Sequence, residues 1–190
     1  VEPRLAEAGR IARDQRFFHW SLEFPEVFFA DDGSPLPQAG FDAIIGNPPW
    51  EMLRGDSGTD GARAARRVDT ARLTRFARQS GVFAACANGH ANQYQLFVEL
   101  GVRLMREGGR LGLVLPWGLA SDHGSAGLRR LLLERCAVES IVGFENTDGI
   151  FPVHRGVRFL LLSASRGGST ERVRCRFGVR DPAALEATAP

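Results

Sequence analysis

The amino-acid sequence predicts an α/β domain built on a mostly parallel β-sheet. Apolar runs of strand length are bounded by turn residues, as in "FDAIIGN" (41–47) and "RLGLVLP" (110–116). Amphipathic segments with helical spacing separate the first three of these runs. Strands joined through helices favour parallel pairing with right-handed crossovers. The last strands have no helix between them, so we expect the terminal strand to pair antiparallel.

The first forty residues form a lead-in to the sheet. Residues 1–16 have helical periodicity, and the residues on the apolar side are Leu5, Ala8, Ile11 and Ala12. The aromatic-rich stretch 17–29 contains Pro25, which disfavours a long strand. Residues 30–40 have the composition of a loop.

Two further helices and four further strands are predicted after the first strand, and the run at 110–116 is the first of those four. Residues 51–80 are polar, rich in arginine and weakly helical. The segment 92–109 is strongly amphipathic, and Gly108 and Gly109 are expected to end this helix. A second helix covers 127–136. The later strands are "VESIVGFE" (138–145), "VRFLLLSASR" (157–166) and "ERVRCRFGV" (171–179).

We interpret the chain as one incomplete domain. Residues 1–40 are the lead-in, 41–165 the catalytic core, and 166–190 a terminal strand and tail. The chain begins with Val1 rather than methionine, so motifs that are absent from it are interpreted as lying elsewhere in a longer protein.

Composition excludes several classes of function. The net charge of +2 gives no global electrostatic argument for nucleic-acid binding. The three cysteines and four histidines have no metal-binding spacing, so we predict no metal site. No apolar run approaches the roughly 20 residues of a membrane span, and the N-terminus lacks the apolar core of a signal peptide. A cytoplasmic protein with no membrane partner is the expectation.

The turn at residues 47–50, "NPPW", has unusual chemistry for the end of a strand. Its two prolines fix the backbone and remove two donors, which leaves the side-chain oxygen of Asn47 and the carbonyls of Asn47 and Pro48 as rigidly held acceptors. Trp50 adds a flat apolar face. A planar ring that carries an amino group would suit this site.

These residues carry a resemblance to a known family. "NPPW" after "FDAIIG" resembles motif IV of S-adenosylmethionine-dependent amino-methyltransferases, the best known of which methylate the N6 amino group of adenine in DNA. Residues 17–165 also contain "FFHWSLEFPEVF", "NQYQLFVELGVRLMREGGRLGLVLP", "GLRRLLLE" and "IVGFENTDGIFP" in the expected order. These blocks are similar to those of type IIG restriction-modification enzymes and BREX-type phage-defence methylases.

The resemblance implies a Rossmann-like methyltransferase fold and a set of roles. The catalytic turn would be Asn47, Pro48, Pro49 and Trp50. Within it, Asn47 and Pro48 would accept hydrogen bonds from the target amino group, and Trp50 would stack on a base flipped out of double-stranded DNA. Phe151 would be a second aromatic residue against that base.

The resemblance also implies parts that this sequence lacks. The family's glycine-rich motif and its acidic ribose ligand precede the NPP turn, and neither is found here. The cofactor would be S-adenosylmethionine, with its binding residues unknown in this chain. We therefore expect the C-terminal part of the methyltransferase fold. Its partners would be DNA and the remainder of a parent methylase or a companion subunit.

Three alternatives remain open from the sequence. Protein-glutamine and ribosomal-RNA methylases share the NPP turn. A non-catalytic module that binds DNA or a partner would explain the missing cofactor half. Finally, the arginine-rich stretch 54–78 is either a solvated surface or a DNA-backbone contact, and Arg63, Arg66 and Arg67 are its candidate phosphate ligands.

Overall fold

A computed structural model describes residues 2–15, 18–50, 60–85 and 92–188. The chain divides into two compact units, Val1–Gly40 and Phe41–Pro190. No described helix is long and apolar enough to cross a membrane.

The first unit is helical. It contains α1 (Glu2–Gln15), α2 (Trp20–Glu23) and α3 (Pro25–Phe28). The predicted N-terminal helix is confirmed, but Leu5 and Ile11 on its predicted inner side are exposed. Charged pairs at helical spacing support α1, because Arg10 bonds both Glu7 and Asp14. The rings of Trp20 and Phe24 stack 5.9 Å apart.

The second unit is a five-stranded sheet with helices. Its elements are β1 (Phe41–Gly46), α4 (Asp60–Gln79), α5 (Gln93–Leu104), β2 (Met105–Pro116), α6 (Gly118–Ser121), α7 (Ala126–Arg135), β3 (Cys136–Glu145), β4 (Arg158–Arg166) and β5 (Arg174–Val179). The strand order is β1-β2-β4-β3-β5. Four strands point the same way and β4 runs opposite, which confirms the predicted α/β class with a mostly parallel sheet.

The position of the antiparallel strand differs from the prediction. The terminal strand β5 pairs parallel to β3, and it is β4 that lies antiparallel between β2 and β3. The reason is burial: β4 carries the run Phe159, Leu160 and Leu162, all at most 2% exposed, so it takes a central place. By contrast, β5 carries exposed arginines, which are tolerated at an edge.

The end of α5 also differs from the prediction. The helix ends at Leu104 rather than at the glycine pair, and Met105 is already extended and pairs with Phe41. Because Ala43 pairs with Arg110, residues 106–109 form an irregular excursion within β2. A Cβ on Gly109 would lie 2.8 Å from the carbonyl oxygen of Phe41, so this position requires glycine.

The two faces of the sheet are covered differently. Leucines of β2 and β4 on one face form the main core with α5 and α7, including Val98, Val102, Leu128 and Leu132. On the other face, a smaller core gathers Phe144, Phe159 and Val179, with Trp50 and Phe151 packed against them. We call Trp50, Phe144, Phe151 and Phe159 the aromatic cluster.

Candidate active site

The end of β1 and the end of β2 meet at one edge of the sheet. The two strands run parallel, with Gly46 opposite Leu113. Residues 47–50 therefore leave the sheet at the same edge as Pro116 and Trp117, as the sequence predicts. The loop of residues 146–157 reaches this edge too, because it joins the end of β3 to the start of β4.

The NPPW turn has one polar side chain, that of Asn47, and it is exposed next to a buried proline. Asn47 and Pro49 are exposed, Pro48 is buried and Trp50 is half-buried. Among the described residues, the Asn47 side chain has no hydrogen-bond partner. Its amide oxygen is therefore available to a donor outside these residues.

Trp50 is held by the aromatic cluster. Its indole lies 6.2 Å from the Phe159 ring at an interplanar angle of 30°, and Phe151 meets it edge-on at 6.4 Å. Phe159 in turn stacks on Phe144 at 4.9 Å, with the rings 3° from parallel. The indole Nε1 is buried and has no hydrogen-bond partner among the described residues. Two of the predicted site residues, Trp50 and Phe151, are thus brought together by the fold.

Phe151 is positioned by a residue that the sequence analysis missed. The fully buried side chain of Asn146 bonds both the backbone N–H and the backbone carbonyl of Phe151, at 2.9 and 3.1 Å. The local sequence "NTDG" is typical of an Asn-led turn, and Gly149 adopts a left-handed φ of +77°. That signal predicts a turn, but it does not predict which residue the turn orients.

Three buried polar side chains form a hydrogen-bonded network between α5 and the turn before α7. The Tyr94 hydroxyl and the Ser125 Oγ are 2.9 Å apart, and Gln95 Nε2 donates to the same Ser125 Oγ at 2.9 Å. All three residues are at most 5% exposed. This network connects the start of α5 to the turn before α7, and it should stabilise the packing of these two elements.

Trp117 packs against the sheet beside this edge. A Cβ on Gly143 would lie 2.5 Å from the Trp117 ring, so the glycine makes room for the indole. The Arg158 guanidinium lies 4.7 Å from the centroid of that ring, and Phe177 meets it edge-on at 5.4 Å. Trp117 is therefore packed against Gly143, Arg158 and Phe177, none of which belongs to the aromatic cluster.

The candidate DNA-backbone residues lie on α4. Arg63, Arg66 and Arg67 fall within this helix, but their side chains are outside the part of the chain that the structure describes. The described residues also contain no group of three or more His, Cys, Asp or Glu side chains arranged to hold a metal ion.

Residues 4–151 match the family model described as Eco57I restriction-modification methylase. The chain belongs to this methylase family. The matched range includes the NPPW turn and ends at Phe151, so both parts of the aromatic cluster that the sequence singled out lie within it. The resemblance to restriction-modification methylases is confirmed.

Solved structures support the same fold. A protein of a type I restriction-modification system is 22% identical and superposes with a TM-score of 0.50, covering 77% of this chain and 25% of that one. A Listeria monocytogenes protein described as a class I S-adenosylmethionine-dependent methyltransferase is 17% identical with a TM-score of 0.50, covering 81% of this chain and 42% of that one. At these identities the matches establish the methyltransferase fold alone.

A third structure, a DrdV–DNA complex, is 14% identical with a TM-score of 0.50, and the match covers 78% of this chain and 16% of that one. These three matches span between 16% and 42% of the length of the solved proteins. No curated protein matches the chain.

Proposed function

We propose that this methylase-family chain is the catalytic part of a DNA methyltransferase that methylates the N6 amino group of adenine, within a restriction-modification or phage-defence system. The observation that carries the proposal is the exposed amide of Asn47, which has no partner among the described residues. It lies in a rigid NPPW turn at the carboxyl edge of the sheet, inside the range that matches a restriction-modification methylase.

Asn47 and Pro48 would recognise the amino group. The Asn47 side-chain oxygen and the Pro48 carbonyl would accept its two hydrogens, which draws the nitrogen toward a tetrahedral shape and directs its lone pair outward. Because the two prolines already hold the turn, little ordering is needed when the base arrives. S-adenosylmethionine would supply the methyl group.

Trp50 and Phe151 would hold the base. An adenine inside a duplex is stacked, so the target must be flipped out before its amino group can reach Asn47. The half-buried indole of Trp50 keeps part of its surface exposed for stacking while Phe159 and Phe151 hold the rest. Stacking of a base on an aromatic side chain is worth about 1–3 kcal/mol.

The residues that bind the methyl donor are not assigned. Before β1, the described residues form three helices and an isolated bridge between Phe29 and Pro35, and no glycine-rich loop follows a strand there. The described residues therefore do not fit a complete cofactor site. The remaining part of that site is proposed to come from the rest of the parent methylase or from a companion subunit.

The proposed partner is double-stranded DNA. One structure that shares this fold is a complex with DNA, and another describes the assembly of a type I restriction-modification system. Membership of a restriction-modification family favours DNA over protein or ribosomal RNA as the substrate.

Methyl incorporation by the full-length protein tests the proposal. Radiolabelled S-adenosylmethionine is incubated separately with unmethylated genomic DNA, total RNA and a protein extract, and the labelled DNA is digested to identify the modified nucleoside. We expect label in DNA, as N6-methyl-2′-deoxyadenosine, and a loss of at least about a hundredfold for Asn47→Ala, since a positioning acceptor is removed.

The matched control is Gln38→Ala, which removes an exposed amide from the loop before β1 and should retain wild-type activity. Equal incorporation by Asn47→Ala and wild type would refute the role of the turn. Label in RNA or protein alone would reassign the substrate. Absence of transfer to any of them would favour the non-catalytic module.

A further inference from the structure

Asn146 lies at the start of the loop that carries Phe151. We propose that Asn146 is a positioning residue for methyl transfer: its buried amide fixes Phe151 in the aromatic wall of the base pocket. The inference rests on the proposed function, because the wall has a role in catalysis only if a target base binds against it. The hydrogen bonds that support it belong to this chain and do not depend on a substrate.

The Asn146 side chain pairs with Phe151 as a neighbouring strand would. Its Oδ1 accepts the backbone N–H of Phe151 at 2.9 Å, and its Nδ2 donates to the Phe151 carbonyl at 3.1 Å. Both polar groups of the Phe151 backbone are thus bound by one side chain. Two bonds of this kind set the orientation of the residue as well as its position.

The same amide closes the rest of the loop. Nδ2 also donates to the carbonyl of Val153 at 3.2 Å, and the backbone N–H of Asn146 donates to the carbonyl of Val157 at 3.2 Å. Asn146 therefore joins the loop's beginning, its middle and its end. The side-chain bonds require both an acceptor and an NH₂ group, which among small residues only asparagine provides.

Burial makes this arrangement costly to lose. Asn146 is 0% exposed, and a buried amide is tolerated when its hydrogen bonds are made. The Phe151 ring then lies 4.8 Å from Phe159 at 71° and meets Trp50 edge-on. Because the ring follows its backbone, a change at Asn146 should displace Phe151 without touching the substrate.

A double-mutant cycle in the full-length protein tests the connection. Asn146→Asp keeps the size and the acceptor, but a carboxyl group donates one hydrogen at most and a carboxylate none, so the bonds to the Phe151 and Val153 carbonyls cannot both be made. We expect Asn146→Asp and Phe151→Ala each to lower kcat/KM for DNA methylation by about tenfold or more. The double variant should stay within about twofold of Phe151→Ala, because Asn146 then has no ring to position.

The matched control exchanges the same pair of side chains two residues away. Asp148 is exposed in the same turn, and Asp148→Asn should leave kcat/KM unchanged. If the losses from Asn146→Asp and Phe151→Ala multiply, Asn146 acts through general stability and the proposal is overturned.

Hydrogen exchange gives a second measurement that needs no DNA. In Asn146→Asp, the amides of residues 147–157 should exchange about tenfold faster or more, while β2 and β4 keep their protection. Unchanged exchange in the loop overturns the proposal. If the wild-type protein transfers no methyl group to DNA, the proposed function fails, and the exchange result alone decides whether Asn146 fixes Phe151.

A second variant covers the case in which Asn146→Asp does not fold. Asn146→Ser is smaller and uncharged, and its single hydroxyl cannot bond both the N–H and the carbonyl of Phe151 as the amide does. It should show the same coupling to Phe151→Ala. Independent losses here would again overturn the proposal.

Discussion

The rings of Trp50 and Phe151 meet edge to face, with their centroids 6.4 Å apart and their planes at 80°. Trp50 follows β1, and Phe151 belongs to the loop after β3. Their contact joins two connections at the same edge of the sheet, with Phe159 packed against both rings. It defines the aromatic surface against which we propose that the target base stacks.

Substitutions of Trp50 test whether its aromatic face stacks on the target base. Trp50→Phe retains an aromatic face, so we expect methylation within about fivefold of wild type. Trp50→Ala removes a stacking energy of about 1–3 kcal/mol and should lower kcat/KM by about five- to 150-fold. Trp20→Ala, in the other unit, is the control for loss of an indole. Wild-type kinetics in Trp50→Ala would rule out base stacking.

The buried Ser125 should be important for stability. Ser125→Ala leaves Gln95 Nε2 without the acceptor at 2.9 Å and takes one partner from the Tyr94 hydroxyl. We expect the free energy of unfolding to fall by about 2 kcal/mol, because these groups are buried. Ser121→Ala, at an exposed position, should change it by about 0.5 kcal/mol or less. Urea denaturation checks both values, and equal effects would contradict the network.

Two nearby glycines should respond oppositely to alanine. A Cβ on Gly127 would lie 2.4 Å from the carbonyl oxygen of Ala85, so Gly127→Ala should destabilise by about 1–3 kcal/mol although alanine favours helices. Nothing lies within 4 Å of a Cβ on Gly124, so Gly124→Ala should be neutral or stabilising. Thermal unfolding distinguishes the two, and a stabilising Gly127→Ala would show that Ala85 does not approach α7 so closely.

Glu139 should make stability depend on pH. Partial burial alone would raise the pKa of Glu139, but hydrogen bonds from Ser165 and Ser163 and the charge of Arg110 outweigh burial and lower the pKa below its ordinary value of 4.5. The folded state therefore binds this proton less readily than the unfolded chain. The stabilisation that ionised Glu139 gives to the folded state is complete above pH 4.5, and it is lost as the pH falls through the lowered pKa.

Denaturation at a series of pH values tests this sign. The difference in unfolding free energy between wild type and Glu139→Gln should be largest near pH 7 and should shrink as the pH falls below 4.5. Ser165→Ala, which removes one donor to the carboxylate, should weaken the same dependence. A difference that grows toward acid pH would mean that burial dominates and that the pKa is raised.

Charge reversal on α4 tests the proposed contact with DNA. Changing Arg63, Arg66 and Arg67 to glutamate in the full-length protein should weaken DNA binding at moderate salt for all sequences alike, and should reduce the salt dependence of the binding constant. The control reverses three exposed arginines elsewhere, Arg130, Arg172 and Arg174. Unchanged binding by the α4 variant would leave this stretch as a solvated surface.

Local patterns were enough to predict most elements and the position of the NPPW turn. Helix and strand periodicity are properties of a few consecutive residues, and a turn that follows a parallel strand must leave the sheet at its carboxyl edge. Asn47 and Trp50 could therefore be singled out from their local sequence. The end of α5 was misplaced because the pairing of Met105 with Phe41, a distant residue, extends the chain before the glycines.

The sequence alone determined the class of the sheet, the family resemblance and the residues of the NPPW turn, because each is written in a short run of the chain. Tertiary structure decided that β4 lies between β2 and β3. The apolar run Phe159–Leu162 is buried on both faces only when strands lie on either side of it and both faces of the sheet are covered. It also decided that Asn146 holds Phe151 and that Phe151 meets Trp50. Such contacts depend on which loops the sheet brings together, and no local pattern specifies that.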